Sequence, residues 1–220
     1  MSTNSAPPYP KVVMIIRHAE KPGAQDKDDD TSSPDLSIRG SARAAALPSL
    51  FTPDPSGSGT SMQQLSCAVA VRKDLQFDGT YQRPAGTVAA APRFPTPQHI
   101  VATKTSNSSN RPIETVTPIA QALGHKIHAN YDDKDTEIAA QANEVLTKYH
   151  GDVVLVCWHH GNIPQLARSL GVPQTQINTA LGGAGQKWHA SVFDRIWMID
   201  WDTGSPNLTV RFQQLLFGDH

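Results

Sequence analysis

Apolar and polar residues form alternating blocks along the chain that predict strands followed by helices. Apolar, β-branched runs typical of buried strands cover 11–17, 99–103 and 152–158. Each run leads through a polar loop into a segment with helical composition, over 37–50, 112–123 and 163–171. Strands that alternate with helices in this way predict an α/β sandwich around a mostly parallel sheet.

The remaining segments complete one domain over 1–220. A further helix is predicted over 135–149, with Asp135 as candidate N-cap, and two last strands over 193–200 and 208–212. Residues 172–191 are predicted to form a loop. The stretch 52–98 is interrupted by proline and glycine and is too poor in apolar residues for a core of its own, so it is predicted to be an irregular insertion.

Composition limits the classes of partner. The chain has 220 residues, of which 38% are hydrophobic and 18% charged, with a net charge of −1. We expect a globular domain, and the lack of a long basic run argues against nucleic acid as the main partner. No apolar run approaches the length of a membrane span, so no membrane partner is expected. Arg39 and Arg43, four residues apart on the first helix, are expected to be solvated.

The ends and cysteines of the chain suggest a reducing compartment. The opening residues contain neither a basic start nor an apolar stretch of the kind found in secretory signals. Cys67 and Cys157 are too few for a disulfide framework. We therefore expect free thiols and a cytoplasmic location.

Cations and imidazoles follow three of the predicted strands. Arg17 and His18 end the first strand, Arg111 follows the second at a helix start, and His159 and His160 follow the strand over 152–158. The carboxyl ends of parallel strands form the edge where ligands bind, and helix N-termini favour anions. A guanidinium matches phosphate oxygens, and the residues lack metal-ligand spacing, so a phosphate site is favoured over a metal site.

Four segments in order resemble the histidine phosphatase superfamily, which includes the cofactor-dependent phosphoglycerate mutases. They are 15–22 (IIRHAEKP), 36–44 (LSIRGSARA), 110–115 (NRPIET) and 158–164 (WHHGNIP). The resemblance covers 11–50 and 99–171, and residues 52–98 match nothing in it. It implies a phosphoglycerate mutase-like three-layer α/β/α sandwich.

The resemblance also implies roles for individual residues, with no cofactor and no metal. His18 would be the nucleophile, and Arg17, Arg111 and His160 would bind the phosphoryl oxygens. His160 is preferred to His159 because it precedes Gly161, as in the family's His-Gly pair, and lies nearer the helix start. His159 stays open as the alternative.

The general acid is the least defined member of the site. The family branch without an Asp after the second His places a carboxylate between the second Arg and that His, an interval that holds Asp132, Asp133, Asp135 and Glu137. Asp135 is the choice, although an N-cap role explains it equally well. Glu20 is an outside candidate, whose other role would be pairing with Arg17 or a neighbouring arginine.

These features predict a metal-independent phosphatase that hydrolyses a phosphomonoester through a phosphohistidine on His18. A phosphomutase is the first alternative, although Ala19-Glu20-Lys21-Pro22 differs from the continuation found in mutases. A non-catalytic anion-binding relative is the second. The expected partner is a small phosphorylated substrate or inorganic phosphate, and neither its identity nor the oligomeric state follows from the sequence.

Overall fold

The fold is built on a six-stranded mixed sheet with strand order β3-β2-β4-β1-β5-β6. The structure, a computed structural model, describes residues 8–23, 32–53 and 91–219, so most of the predicted insertion lies outside the described residues. The strands are β1 (Val12–Arg17), β2 (His99–Ala102), β3 (Ile127–His128), β4 (Val153–Trp158), β5 (Arg195–Asp200) and β6 (Asn207–Phe212).

Six helices accompany these strands in the described ranges. They are α1 (Ile38–Ala46), α2 (Pro48–Phe51), α3 (Arg111–Leu123), α4 (Asp135–Lys148), α5 (Ile163–Ser169) and α6 (Gln174–Leu181). None of the helices in the part of the chain that the structure describes is long and apolar enough to cross a membrane.

The central strands run parallel, so their carboxyl ends meet at one edge. β4 pairs in parallel with both β1 and β2, and β2 pairs in parallel with β3. β5 and β6 add two antiparallel pairings beside β1. The register joins Arg17 to Trp158, so the chain leaves β1 and β4 at the same level.

Two apolar cores lie on opposite faces of the sheet. Val13 and Ile15 of β1 pack on one face in the core to which α4, α5 and α6 contribute. Met14 and Ile16 face the other way and pack in the core to which α2 and α3 contribute. Alternate residues of one strand therefore serve two cores, as expected for a strand buried on both sides. The predicted three-layer α/β/α sandwich around a mostly parallel sheet is confirmed.

Local chemistry explains how α1 is fixed beside the end of β1. The Ser37 side chain accepts a hydrogen bond from the Gly40 backbone N–H at 3.0 Å and caps α1, as predicted. A side chain at Gly40 would collide with the Glu20 carbonyl oxygen, so only glycine permits this approach. α1 is thereby held against the residues that follow His18.

Three elements differ from the sequence-based expectations. The predicted loop over 172–191 contains α6, whose Ile177 is fully buried in the core. The short strand β3 was not predicted, since two residues are too few for a periodic signal. Asp135 is the first residue of α4 rather than its N-cap, because Lys134 has the extended backbone of that position.

Candidate active site

The register of β1 and β4 brings two imidazoles together. The His18 backbone N–H donates to the Trp158 carbonyl at 3.1 Å, which extends the parallel pairing by one residue. His159 follows Trp158 directly, and its ring meets the His18 ring edge-on with centroids 5.1 Å apart. The carboxyl ends of two parallel strands thus deliver one histidine each to a common position.

The His18 ring is oriented by its own backbone neighbour. Nδ1 lies 2.7 Å from the Ala19 carbonyl oxygen. A carbonyl only accepts, so Nδ1 carries the proton and the neutral ring has its lone pair on Nε2. Burial lowers the pKa of His18 well below its usual value, and the nearby Arg17, His159 and Arg111 lower it further. At neutral pH, His18 is an uncharged imidazole with an unprotonated Nε2.

Arg17 is held from behind by the chain that precedes β5. Its Nη1 donates to the Ala190 carbonyl at 2.6 Å and to the Val192 carbonyl at 3.0 Å. The guanidinium carbon lies 3.6 Å from the centroid of the Phe193 ring, a cation–π contact. Burial lowers the pKa of Arg17 to about 9, Glu20 opposes this change, and Arg111 adds to it. Arg17 Nε is buried and has no hydrogen-bond partner among the residues that the structure describes.

Arg111 begins α3 and is anchored by backbone carbonyls. Nη1 lies 3.3 Å from the Ser33 carbonyl and 3.2 Å from the Pro34 carbonyl, and Nη2 lies 3.2 Å from the Ser108 carbonyl. Burial lowers the pKa of Arg111. Its Nε, like that of Arg17, is buried and has no hydrogen-bond partner within the described ranges. Both guanidiniums act electrostatically on His18, and each has a buried donor that no described residue satisfies.

His159, rather than the expected His160, is the imidazole that the structure places against His18. Burial lowers the pKa of His159 to about 4, and Arg111 and Arg17 both contribute. The pKa of His160 is also lowered to about 4 by burial, but its charged neighbours are Arg17, His159 and Lys21. His160 was preferred from the sequence because it precedes Gly161, as in the family's His-Gly pair, and because it lies nearer the next helix. The structure places the start of α5 only at Ile163, after a turn.

The acidic residues occupy different positions from those expected. Asp135 is exposed on the first turn of α4. Asp132 is instead the carboxylate whose charge raises the pKa of His159, against the larger lowering by burial. A hydrogen bond with Asp133 lowers the pKa of Asp132, while burial and that same bond raise the pKa of Asp133. The structure thus brings Asp132, rather than Asp135, within electrostatic reach of His159.

Asn162 connects the Asp132–Asp133 pair to the turn after His159. Its Nδ2 donates to the Asp133 carbonyl at 2.6 Å, across 29 residues of sequence. The acidic loop before α4 is therefore fixed to the residue that precedes α5.

Glu20 belongs to an ion-pair network with Arg43 and Asp219, of which the sequence indicated only a pairing between Glu20 and an arginine. Arg43 Nη2 lies 2.7 Å from Glu20 Oε1 and 2.7 Å from Asp219 Oδ1. The Arg43 side chain is 2% exposed, so the expectation of a solvated arginine was wrong. Arg39 Nε adds a contact to Glu20 at 3.3 Å. Glu20 pairs with neighbouring arginines other than Arg17, as its alternative role foresaw.

No arrangement suited to a metal accompanies this site in the described ranges. Within residues 8–23, 32–53 and 91–219, no group of three or more histidine, cysteine or acidic side chains is placed to hold a metal ion.

Comparisons with known proteins give structural likenesses only. No family model matches the chain, and no curated protein matches it. Among solved structures it is similar to SixA from Agrobacterium tumefaciens, described as a phosphohistidine phosphatase, with 14% identity over 90% of this chain and 96% of that chain and a TM-score of 0.46. An Escherichia coli protein described as an alpha-ribazole-5'-P phosphatase gives 13% identity over 93% and 97% of the two chains, with a TM-score of 0.46.

The alpha-ribazole phosphatase from Shigella flexneri is a third similar structure. It gives 12% identity over 94% of this chain and 98% of that chain, with a TM-score of 0.48. At these identities and TM-scores, the function of this chain has to be argued from the geometry of its own site.

Proposed function

We propose that the protein is a histidine phosphatase that hydrolyses a small phosphomonoester through a phosphohistidine on His18. The observation that carries the proposal is the state of the His18 ring. Nδ1 donates to the Ala19 carbonyl, the ring is neutral, and two guanidiniums and a second imidazole surround it. A neutral imidazole beside fixed cations suits attack on a phosphorus atom bearing negative oxygens.

In the first step, Nε2 of His18 would attack phosphorus in line with the ester oxygen. An N–P bond forms, the P–O bond to the alcohol breaks, and the leaving alkoxide takes a proton from an acid. Arg17, Arg111 and His159 would bind the three non-bridging oxygens as charge accumulates on them. In the second step, the deprotonated acid takes a proton from water as the water oxygen attacks phosphorus. The N–P bond breaks, inorganic phosphate leaves, and His18 and the acid return to their starting states.

The unsatisfied donors support the same location for the phosphoryl group. Arg17 Nε and Arg111 Nε are both buried, and neither has a hydrogen-bond partner in residues 8–23, 32–53 or 91–219. Leaving a buried donor unpaired typically costs about 1–3 kcal/mol. An oxyanion seated between the two side chains would supply acceptors, with small adjustments of the guanidiniums.

We assign the acid to the Asp132–Asp133 pair. The Asp133 backbone N–H donates to Asp132 Oδ1 at 2.6 Å, which holds the two residues together. Interaction between the two side chains lowers the pKa of Asp132, and burial together with that interaction raises the pKa of Asp133. Such a pair retains one proton to higher pH than an isolated carboxyl and titrates as a unit. The charge of Asp132 also reaches His159, which supports a position beside the leaving group.

Labelling with an alkaline quench tests the proposal. The protein is mixed with a ³²P-labelled phosphomonoester and quenched within milliseconds to seconds, and the label is then tested for stability. We expect a base-stable, acid-labile label that is absent from His18→Ala. The label should be present in His99→Ala, which changes a histidine at the amino end of β2, away from His18. Label that persists in His18→Ala would rule out the nucleophile.

Product analysis separates the alternatives. Free phosphate as the product supports the phosphatase, and an isomerised ester would indicate a mutase. Tight binding of inorganic phosphate without label or turnover would indicate an anion-binding relative. Activity that is unchanged by a chelator is the expected result for chemistry carried by His18 alone.

A further inference from the structure

Thr115 connects the nucleophile segment to the start of α3 through one buried hydroxyl. Thr115 is 1% exposed and lies one turn after Arg111. The Ala19 backbone N–H donates to Thr115 Oγ1 at 2.8 Å. Thr115 Oγ1 in turn lies 2.7 Å from the Arg111 carbonyl oxygen. These two contacts join residues 96 positions apart in sequence.

The direction of each hydrogen bond in this series of contacts is fixed by the groups that form it. A backbone N–H only donates, so the Thr115 hydroxyl must accept from Ala19. A carbonyl only accepts, so the hydroxyl proton must point to Arg111. Ala19 also contributes its carbonyl, which accepts a hydrogen bond from His18 Nδ1 at 2.7 Å. Both polar groups of Ala19 are therefore used, one by Thr115 and one by His18.

The surroundings leave no substitute for this hydroxyl. Ala19 is fully buried, so water cannot replace the partner of its N–H without opening the core. The Cys157 thiol of β4 lies beside the same hydroxyl, and burial raises the pKa of that thiol, so it stays uncharged at neutral pH. The Ala19 N–H and the Ala19 carbonyl lie in successive peptide groups joined at the Ala19 Cα. Removing the hydroxyl would release the first of these groups and let the carbonyl that orients His18 shift with it.

We propose that Thr115 is a positioning residue: its hydroxyl holds the backbone on the amino side of Ala19, which keeps the Ala19 carbonyl in place, so that His18 holds its proton on Nδ1 and presents Nε2 to the phosphoryl group beside Arg111. The catalytic part of this inference rests on the proposed function, since it assigns Nε2 as the attacking atom. The structural part, the fixed tautomer, stands independently of any reaction.

The closing experiment compares three variants. Thr115→Val removes the hydroxyl at nearly constant shape, Thr115→Ser keeps it, and Thr117→Val is the matched control. Thr117 Oγ1 donates to the Ile113 carbonyl at 2.8 Å in the same helix, so its loss removes the same kind of backbone contact. Circular dichroism and thermal unfolding identify any variant that fails to fold, and Thr115→Ser then carries the comparison with wild type.

The first readout is the His18 tautomer, measured by two-bond ¹H–¹⁵N correlation and assigned by the signals missing from His18→Gln. We expect the Nδ1–H form in wild type, Thr115→Ser and Thr117→Val, and a mixture of both tautomers in Thr115→Val. The second readout is the rate of His18 labelling, measured as a function of phosphomonoester concentration. For Thr115→Val we expect the maximal labelling rate to fall by about 10- to 100-fold and the half-saturating concentration to change less than about threefold. The reason is that misplacement of a reacting group affects mainly the chemical step.

The outcomes separate the two proposals. An unchanged tautomer and labelling rate in Thr115→Val would overturn the positioning role and leave the phosphatase intact. Absence of label in wild type would overturn the proposed function, while the tautomer comparison would still decide the structural claim. A Thr117→Val variant that matches Thr115→Val in both readouts would also overturn the positioning role, because it would make the effect a general one of α3.

Discussion

Two groups of histidines lie at opposite ends of the parallel strands, and their neighbours differ in charge. At the carboxyl ends, His18 and His159 meet with ring centroids 5.1 Å apart, and Arg17 and Arg111 act on both rings. At the amino ends, His99 Nε2 lies 2.9 Å from Asp152 Oδ2, its ring stacks on Tyr149 at 4.1 Å, and the His128 ring lies 6.4 Å away. Two guanidiniums act on the first group, whereas in the second a carboxylate contacts an imidazole directly.

Burial separates the two groups as well. His18 is 3% exposed. The side chains of His99 and Asp152 are 28% and 33% exposed, so that pair is partly solvated. An imidazole that is buried among cations stays neutral and keeps a free nitrogen for an electrophile with negative oxygens. The comparison shows that the surroundings of a histidine, rather than the presence of a second histidine nearby, make it a candidate nucleophile.

The largest expected effect comes from removing a cation from the carboxyl-end group. Arg17→Gln should reduce kcat/KM by about 100- to 1,000-fold, because it deletes a preorganised donor to the phosphoryl oxygens. Arg17→Lys should restore little, since a lysine lacks the planar group that stacks on Phe193. The matched change at the other group, Asp152→Asn, should leave kcat/KM within about twofold by steady-state kinetics, as expected for a substitution away from the site. Equal losses of kcat/KM in Arg17→Gln and Asp152→Asn would contradict the difference between the two histidine groups.

Replacing each of the two candidate imidazoles in turn shows which of them binds the phosphoryl oxygens. His159→Gln should lower kcat by about 100-fold, the typical loss for one oxyanion-binding donor. His160→Gln should lower it by less than about 10-fold, because its ring is not the one placed against His18. Single-turnover labelling of His18 checks the difference. The reverse order of effects would restore His160 to the role that the sequence suggested.

The acid is tested by substrates with different leaving groups. Asp132→Asn and Asp133→Asn should slow hydrolysis of an alkyl phosphate by about 100-fold and that of p-nitrophenyl phosphate by less than about fivefold, because only the poor leaving group needs a proton. Asp135→Asn, on the exposed first turn of α4, should match wild type on both substrates. A selective loss of activity on the alkyl phosphate in Asp135→Asn alone would return the assignment to that residue.

The smallest expected effect is on stability as a function of pH. The folded-state pKa of His159 is about 4, below its ordinary value of 6.5, so the unfolded chain binds the proton first as pH falls. The free energy of unfolding should therefore decrease by about 1 kcal/mol between pH 6 and pH 5 from this group. Urea denaturation of His159→Gln should show a shallower decrease than wild type. A steeper decrease in the variant would contradict the lowered pKa.

Much of this site was predictable because its main residues follow directly from strand ends. The apolar runs predicted β1, β2 and β4, and parallel pairing then required Arg17, His18 and the histidines after Trp158 to share an edge. Pro112 and Gly124 predicted the extent of α3, and Gly124 ends that helix with a φ of 67°. Local chemistry and strand alternation were sufficient for these features.

The remaining features depend on contacts between distant parts of the chain. The carbonyls of Ala190 and Val192 hold Arg17 from 173 and 175 residues away, and no periodicity in the sequence indicates them. The pairing of Arg43 with Asp219 spans 176 residues. The choice between His159 and His160 depended on where β4 ends, and a shift of one residue exchanges neighbouring side chains.

Attack by His18 on a bound phosphoryl group is best tested by a crystal structure with orthovanadate. Orthovanadate takes the geometry of a phosphoryl group in transfer. We expect vanadium bound to Nε2 of His18, with vanadate oxygens within hydrogen-bond distance of Arg17, Arg111 and His159. Vanadate bound away from His18, or contacting His160 but neither arginine, would contradict it.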